Sequence, residues 1–372
     1  MGKHLKSIMA TEDYHAVIES LLNEEVIHRD RYIVGEKSYS YWLDDRFSDD
    51  SHLWLNPTDN RLIRSLGRFH DKRIIEQQSR MCPIHKHLDQ LQSQLDIDQK
   101  EAGVALKSLP NGKNAFDSQG ILVRNLEQRR LHFSVGQYGR VSNAISNLSR
   151  EIRPALRHRG EPLKHVDIRC CQPALLGQMV RTSQNEKQEQ QGRGRGARTG
   201  TIYDSENHPP GGLPDSGPQA GDVSTTRYID LSQKGQIYDH LKSNFPNLSR
   251  EEVKQRVLCD IFAKRKANSH GAEYPSDVER WFSMNFPPVY RYIREVNRDG
   301  WEHANLIRLL QRAESSLVIE QIAEGLRRRR PDMFLVTLHD AIYSIEENIP
   351  VIRSEFDQAF QLNGFTMDLE EG

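Results

Sequence analysis

The chain has 372 residues, room for two or three domains, and its 36% hydrophobic and 28% charged content suits a protein with a sizeable core. No apolar run approaches the roughly 20 residues of a membrane span, and the basic start Met1–Ala10 lacks the apolar stretch of a signal peptide. A formal net charge of −1 argues against an overall basic nucleic-acid protein, yet Ile121–Cys170 carries ten Lys and Arg against four acids, +6 inside an otherwise acidic chain. Such a stripe can neutralise phosphates by counterion release, although a solvated charged face is the plainer reading of composition alone. The adjacent Cys170 and Cys171, with Cys82 and Cys259, do not suggest a disulfide framework, so a reducing cytoplasm is the expected compartment.

Thr11–Val26 has helical apolar spacing through Val17, Ile18, Leu21 and Leu22, with Thr11 as N-cap. Arg31–Trp42 reads as strand, turn at Gly35-Glu36, strand, which makes 1–56 a small winged-helix-like region. Asp59–Leu109 reads as mostly polar helix, with Leu88, Leu91 and Leu95 at helical spacing, and could pack as an antiparallel helical pair. Cys82, His85 and His87 are close enough to suggest zinc, but Cys-x2-His-x-His is no standard finger spacing and a fourth ligand is not evident. The stretch 182–226 is Gln-rich, then carries Gly192-Arg193-Gly194-Arg195-Gly196 and Pro209-Pro210-Gly211-Gly212. With few apolar residues to offset ordering entropy, it reads as a disordered insertion and passive linker. Gly235–Arg328 reads as helical, broken near Asn268–Pro275 and at Pro287-Pro288. Met333–Glu347 reads as a β-hairpin with strands Phe334–Leu338 and Ile342–Ile345, and Ile352, Phe356 and Phe360 recur every four residues on a closing helix.

Four sites carry chemistry, and their order counts as much as their content. Leu163–Arg169 is an apolar approach ending in Asp167, before a helix from Gln172; an acid there can hold a divalent cation, or simply cap the helix. Ser249 and Glu252 form a capping box that starts a helix. On it Arg250, Lys254 and Phe262 fall within a face of about 120°, and Lys254 and Phe262 lie about 12 Å apart along the axis. That is on the order of the distance from a nucleotide's phosphates to its base, so two cations would grip a triphosphate and an aromatic would pack by the base or sugar; an ordinary charged amphipathic helix is the plainer alternative. Asn305–Ala323 reads as a helix with Leu306, Leu309, Leu310, Leu317, Val318 and Ile322 on its buried side, and with Gln311 and Glu314 amid them. A glutamine there could reach the minor-groove edge of a duplex, or lie on the surface. Finally, Leu338-His339-Asp340-Ala341-Ile342 puts His339 and Asp340 at a tight hairpin tip, where an acid costs desolvation unless a cation or donor is present.

Together these sites resemble the DNA polymerase I family (family A) and its relatives, the single-subunit phage-type RNA polymerases, from roughly Gly139 onward. Asp167 is similar to the motif A aspartate. Arg250, Lys254 and Phe262 match the fingers-helix pattern Arg-x3-Lys-x7-Tyr/Phe, and His339-Asp340 resembles motif C. Gln311 resembles the family glutamine that contacts the primer–template duplex, and Gly139-Arg140 its Gly-Arg segment near the primer terminus. The resemblance implies an α+β right hand: an antiparallel palm sheet, helical fingers and a helical thumb. The palm would be 121–181 and 329–372, the fingers and palm helices 227–328, and the thumb 57–120. Departures are Phe262-Ala263 in place of Tyr-Gly, Leu258 where an aromatic is usual, Gln172 in place of a ribose-excluding glutamate, and Ala341 in place of the glutamate after motif C.

The implied activity is template-directed DNA polymerisation, with two Mg²⁺ ions (or Mn²⁺) held by Asp167, Asp340 and the Ile168 carbonyl. Catalytic roles fall to Asp167, Asp340 and Lys254. Nucleotide contacts fall to Arg250, Lys254, Phe262 and Gln172, and nucleic-acid contacts to Arg140, Gln311 and His339. The expected partners are a DNA primer–template duplex and nucleoside triphosphates, with no membrane. Phe262 has no hydroxyl with which to sense a ribose, which points to deoxynucleotides. The alternatives are an RNA polymerase, a template-independent terminal transferase, or a non-catalytic DNA-binding accessory protein of replication or of a mobile element.

Overall fold

The computed structural model describes residues 13–29, 41–44, 46, 60–109, 112–195, 219–264, 275–298 and 305–372. The chain divides into two compact units, Met1–Ser79 and Arg80–Gly372, and this division falls inside the stretch read as thumb. In the first unit, helix α1 (Asp13–Asn23) half-buries Ile18, Leu21 and Leu22. Strand β1 (Ile27–Arg29) then pairs antiparallel with β2 (Tyr41–Leu43), so the ribbon starts before Arg31. The expected N-cap Thr11 and the turn at Gly35-Glu36 lie outside the described residues. Helix α2 (Asn60–Arg80) follows.

The second unit opens with α3 (Pro83–Gln92), whose Leu88 and Leu91 are buried as their spacing predicts. Leu95, in contrast, is not on that helix. Ser93 and Gln94 close it with bonds to the Gln90 and Leu91 carbonyls, and Leu95 begins strand β3 (Leu95–Ile97). Four residues is a helical spacing, but the chain has changed geometry between Leu91 and Leu95. Helices α4 (Gln99–Lys107, capped by Asp98) and α5 (Gly112–Glu127) come next. A short hairpin of β4 (Ser134–Val135) and β5 (Val141–Ser142) leads to β6 (Leu156–His158) and the long β7 (Glu161–Ile168).

Helix α6 runs Cys171–Arg195 and α7 runs Gln219–Gln233, so both flanks of the 182–226 stretch are helical rather than disordered. For the first flank, 182–195, the physical reason is propensity: the Gln, Glu and Lys that make it polar are also good helix formers. The remainder, 196–218, lies outside the described residues. Then come α8 (Ile237–Ser243) and α9 (Arg250–Arg256), the latter continuing into a π-helical turn over Val257–Phe262. Helices α10 (Asp277–Asn285) and α11 (Pro287–Val296) break at the two prolines as expected; the second expected break, 268–275, lies almost wholly outside the described residues. Helix α12 (Asn305–Ser315) passes through a π-helical segment, Ser316–Ala323, into α13 (Glu324–Arg329). Leu309 is 45% exposed, a departure from its expected burial, whereas Leu306, Leu310, Leu317, Val318 and Ile322 are buried. The end of the chain is the hairpin β8 (Val336–Leu338) and β9 (Ala341–Ile345), then α14 (Ile349–Leu362) and β10 (Leu369–Glu371).

The fold is mixed α+β around one antiparallel sheet of order β3-β6-β7-β9-β8, with β10 also pairing β7. Strand alternation sorts its residues into two cores. Val166, Ile168 and Ile342 pack with the helices α6 to α12 and α14. Leu163, Val336, Leu338 and Tyr343 pack on the other face with Leu95, Leu126, Ile145 and Leu148. Full burial of a branched aliphatic side chain contributes about 1.5–3 kcal/mol, and Val166 and Ile342 are 0% exposed, so a one-residue slip of β7 against β9 is strongly disfavoured. No helix among the described residues is long and apolar enough to cross a membrane. All four cysteines are free.

Candidate active site

That register decides the site. Asp167, on β7, lies directly opposite Ala341 on β9, and Asp340 immediately precedes Ala341 in the hairpin turn that closes at Leu338–Ala341. Opposed residues in antiparallel strands sit about 4.5–5.5 Å apart at Cα, so the two acids occupy one end of the sheet. The turn needs a left-handed residue at its tip, and His339 supplies it with φ 58°.

The electrostatics fit two acids sharing a partly desolvated space. Burial, then the Asp340 charge, then Glu370 across β10 push Asp167 up to about 7, against the Ile168 backbone N–H and the Lys254 ammonium. Asp340 is also pushed up by burial, against its own backbone N–H, Lys254 and Arg140. The positive charge of Lys254 thus acts on both carboxylates. Asp167 Oδ1 is buried and has no hydrogen-bond partner among the described residues. A buried acceptor left unsatisfied is costly, and a cation is a physical remedy.

His165 exchanges both backbone bonds with Gly372, so by antiparallel alternation the odd residues of β7 address β10 and the even ones address β9. The Ile168 carbonyl therefore points to the side of the hairpin tip. Two carboxylates and a carbonyl suit Mg²⁺, which takes few protein ligands and completes its shell with water and phosphate oxygens. No group of three or more His, Cys, Asp or Glu side chains placed to hold a metal occurs among the described residues. At the zinc candidate, Cys82 Sγ lies 3.2 Å from His85 Nδ1, while His85 Nε2 and His87 Nε2 are buried without partners among the described residues.

Beside the acids opens a cleft of about 410 Å³ whose lining includes Tyr138, Arg140, Asn147, Gln311 and His339. The three residues expected to contact nucleic acid thus line one cleft, although Gln311 is separated from Arg140 by more than 170 positions of chain. The β4–β5 turn positions Arg140. Gly139 adopts φ 79°, a left-handed conformation that glycine takes without strain. Arg140 Nε then donates to His339 Nδ1 at 3.1 Å. Burial and the Arg140 and Arg153 charges hold His339 below its ordinary range.

The fingers helix departs from expectation. Its capping box forms: Ser249 accepts from the Glu252 N–H, and the Glu252 carboxylate accepts from the Ser249 N–H. The charge of Lys254 acts on both acids, but Arg250 donates to Asp239 at 2.9 Å and lies over the Tyr238 ring. Phe262 is 0% exposed, in the core, with its carbonyl accepting from Asn297 Nδ2 at 2.9 Å. The shared face of Arg250, Lys254 and Phe262 assumed 100° per residue. The π-helical turn, in which the Ala263 N–H bonds five residues back to the Leu258 carbonyl, rotates less per residue and turns Phe262 inward.

Two further residues, which no sequence motif marks, pack at the site. Glu314 is 3% exposed and pushed up to about 7 by burial and then Asp340, against Arg140 and Gln172. Asn143 is 5% exposed and donates to the Thr337 carbonyl at 2.6 Å, tying the β5 end to the hairpin strand. An acid within an apolar helical pattern was the available signal for Glu314; a lone asparagine offers none. Gln172, one residue into α6, donates to Glu314 at 3.4 Å. No model of a known protein family matches the chain, and no curated protein matches it either.

Proposed function

We propose that this chain is a nucleotidyltransferase that extends a DNA primer on a template. The observation that carries the reading is the meeting of Asp167 and Asp340 at one end of neighbouring strands, with one oxygen of Asp167 buried and without a partner among the described residues and with the Lys254 charge acting on both acids. Asp167, Asp340 and the Ile168 carbonyl would hold Mg²⁺, or Mn²⁺. Bound there, the metal supplies charge neutralisation at a triphosphate and a more acidic primer 3′-hydroxyl.

The chain's own groups do the rest. Lys254 Nζ would balance charge on the triphosphate and hand a proton to departing pyrophosphate. Arg140, His339 and Gln311 line the cleft that would take the end of the duplex. Arg140 and the other cations of the basic block carry the positive charge for its phosphates. Phe262 is 0% exposed, so its missing hydroxyl carries no argument for deoxynucleotides. The assay therefore offers both sugars.

Purified protein given a primer–template, Mg²⁺ and full sets of dNTPs or NTPs is expected to lengthen the primer. Asp167→Ala and Asp340→Ala are expected to remove extension while leaving most duplex binding. Extension that survives both substitutions overturns the assignment, and extension without template moves it to a terminal transferase.

A further inference from the structure

Glu314 is buried on α12, and the chemistry above makes no use of it. A buried carboxyl must find partners or be destabilising, and Glu314 finds two from different parts of the fold. Its Oε1 lies 3.8 Å from Arg140 Nη2, and its Oε2 accepts from Gln172 Nε2 at 3.4 Å. Arg140 uses its other edge, Nε, on His339 Nδ1 at the hairpin tip. Gln172 stands in the first turn of α6, just beyond the strand that ends in Asp167 and Ile168. One carboxyl therefore touches the two segments that bring the acids together: through Gln172 the Asp167 strand, and through Arg140 and His339 the Asp340 turn.

We infer that Glu314 is a positioning residue, which holds the Arg140 guanidinium between the cleft and the hairpin tip and so sets the tip carrying Asp340 against the strand carrying Asp167. Cys171 marks the same convergence. It is 2% exposed, and burial first, then the charges of Asp340, Glu314 and Asp167, push its thiol up. Glu314 does not touch substrate in this arrangement. Without it, Arg140 keeps its bond to His339 but loses the opposing anchor, and the fork is free to leave the cleft wall. The inference rests on the polymerase reading for its catalytic consequence, but not for its geometry.

The test is a double-mutant cycle of Glu314→Gln and Arg140→Gln. It is read in primer extension and, without nucleotide, in the affinity for a fluorescein-labelled primer–template duplex, with thermal melting as the folding control. Glu314→Gln keeps shape and hydrogen bonding and removes the charge, and the melting temperature is expected to hold. Turnover is expected to fall about tenfold with KM for nucleotide little changed, and the double variant to be no worse than Arg140→Gln alone, as for coupled neighbours. Additive losses, or a Glu314→Gln variant equal to wild type, overturn the positioning role. A wild type that binds duplex with a coupled cycle but never extends it removes the polymerase reading and keeps Glu314 as the anchor of Arg140. Extension with an additive cycle does the reverse.

Discussion

The two halves of the candidate site were reached by different local geometries, and they fared differently. In the β7–β9 pair, side chains alternate with period two and the register is held by buried Val166 and Ile342 on one face and Leu163 and Tyr343 on the other. A strand position is thus nearly digital: a residue is on one face or the other, and an error of one would invert both cores. In α9 the phase of each residue depends on every turn before it. A single π-helical turn between Lys254 and Phe262 is enough to send Phe262 from the expected nucleotide face into the core. Sheet-borne chemistry is therefore readable over long sequence separations, whereas helix-borne chemistry is readable only over about one or two turns.

The largest expected effect is on the sheet side. Asp340→Ala should abolish primer extension, and Asp340→Asn should do so without loss of melting temperature, because it removes one of two crowded acids. A melting temperature that drops sharply would show that the pair is structural, and would break the contrast between a chemical strand end and a structural helix. On the helix side, Phe262→Ala should cost about 3–5 kcal/mol in urea unfolding, the range for truncating a buried aromatic. If stability holds and KM for nucleotide rises instead, Phe262 works at the nucleotide after all.

A smaller and pH-dependent effect sharpens the sheet half. Asp167 is raised in the folded state from 3.8 to about 7, so folding favours its protonated form. The stability this contributes is fully present below 3.8 and is lost as pH rises through about 7. Wild type should therefore lose stability relative to Asp167→Asn between about pH 4 and pH 7 in metal-free urea titrations. Mg²⁺ added above pH 7 should raise the wild-type melting temperature and leave Asp167→Asn unmoved. A difference that is flat with pH would place Asp167 in water and remove the reason for a cation.

What could be read from sequence follows the same physics. The hairpin, the closing helix with Ile352, Phe356 and Phe360 buried, and the break at Pro287-Pro288 each rest on a strong local pattern. Strand β3 did not, because three residues are too few to show alternation and Leu95 falls in phase with the helix before it. Low apolar content in 182–195 points to disorder, whereas the same Gln and Glu residues support the continuation of α6. The link from Glu314 to Arg140 and Gln172 joins residues more than 140 positions apart on three elements, and only packing brings them together. Arg140, Gln311 and His339 share a cleft for the same tertiary reason, and it was the resemblance rather than any local pattern that grouped them.

The smallest predicted effect tests the start of the same fingers helix. Ser249 caps α9 by accepting the Glu252 N–H at 3.2 Å, while the Glu252 carboxylate accepts the Ser249 N–H at 2.7 Å and is thereby held below its ordinary range. Removing the hydroxyl leaves one helix-end donor unsatisfied, so Ser249→Ala should cost about 1 kcal/mol. The regular part of α9 is seven residues long and carries Lys254 in its second turn, so fraying at Ser249 should reach Lys254. Hydrogen exchange should therefore accelerate at the amides of Val253 and Lys254 with little change at β7. KM for nucleotide should rise by a small factor while duplex affinity stays level. If exchange at β7 rises equally, the helix and the sheet unfold as one unit, and the contrast between a locally phased helix and a register-locked sheet does not hold.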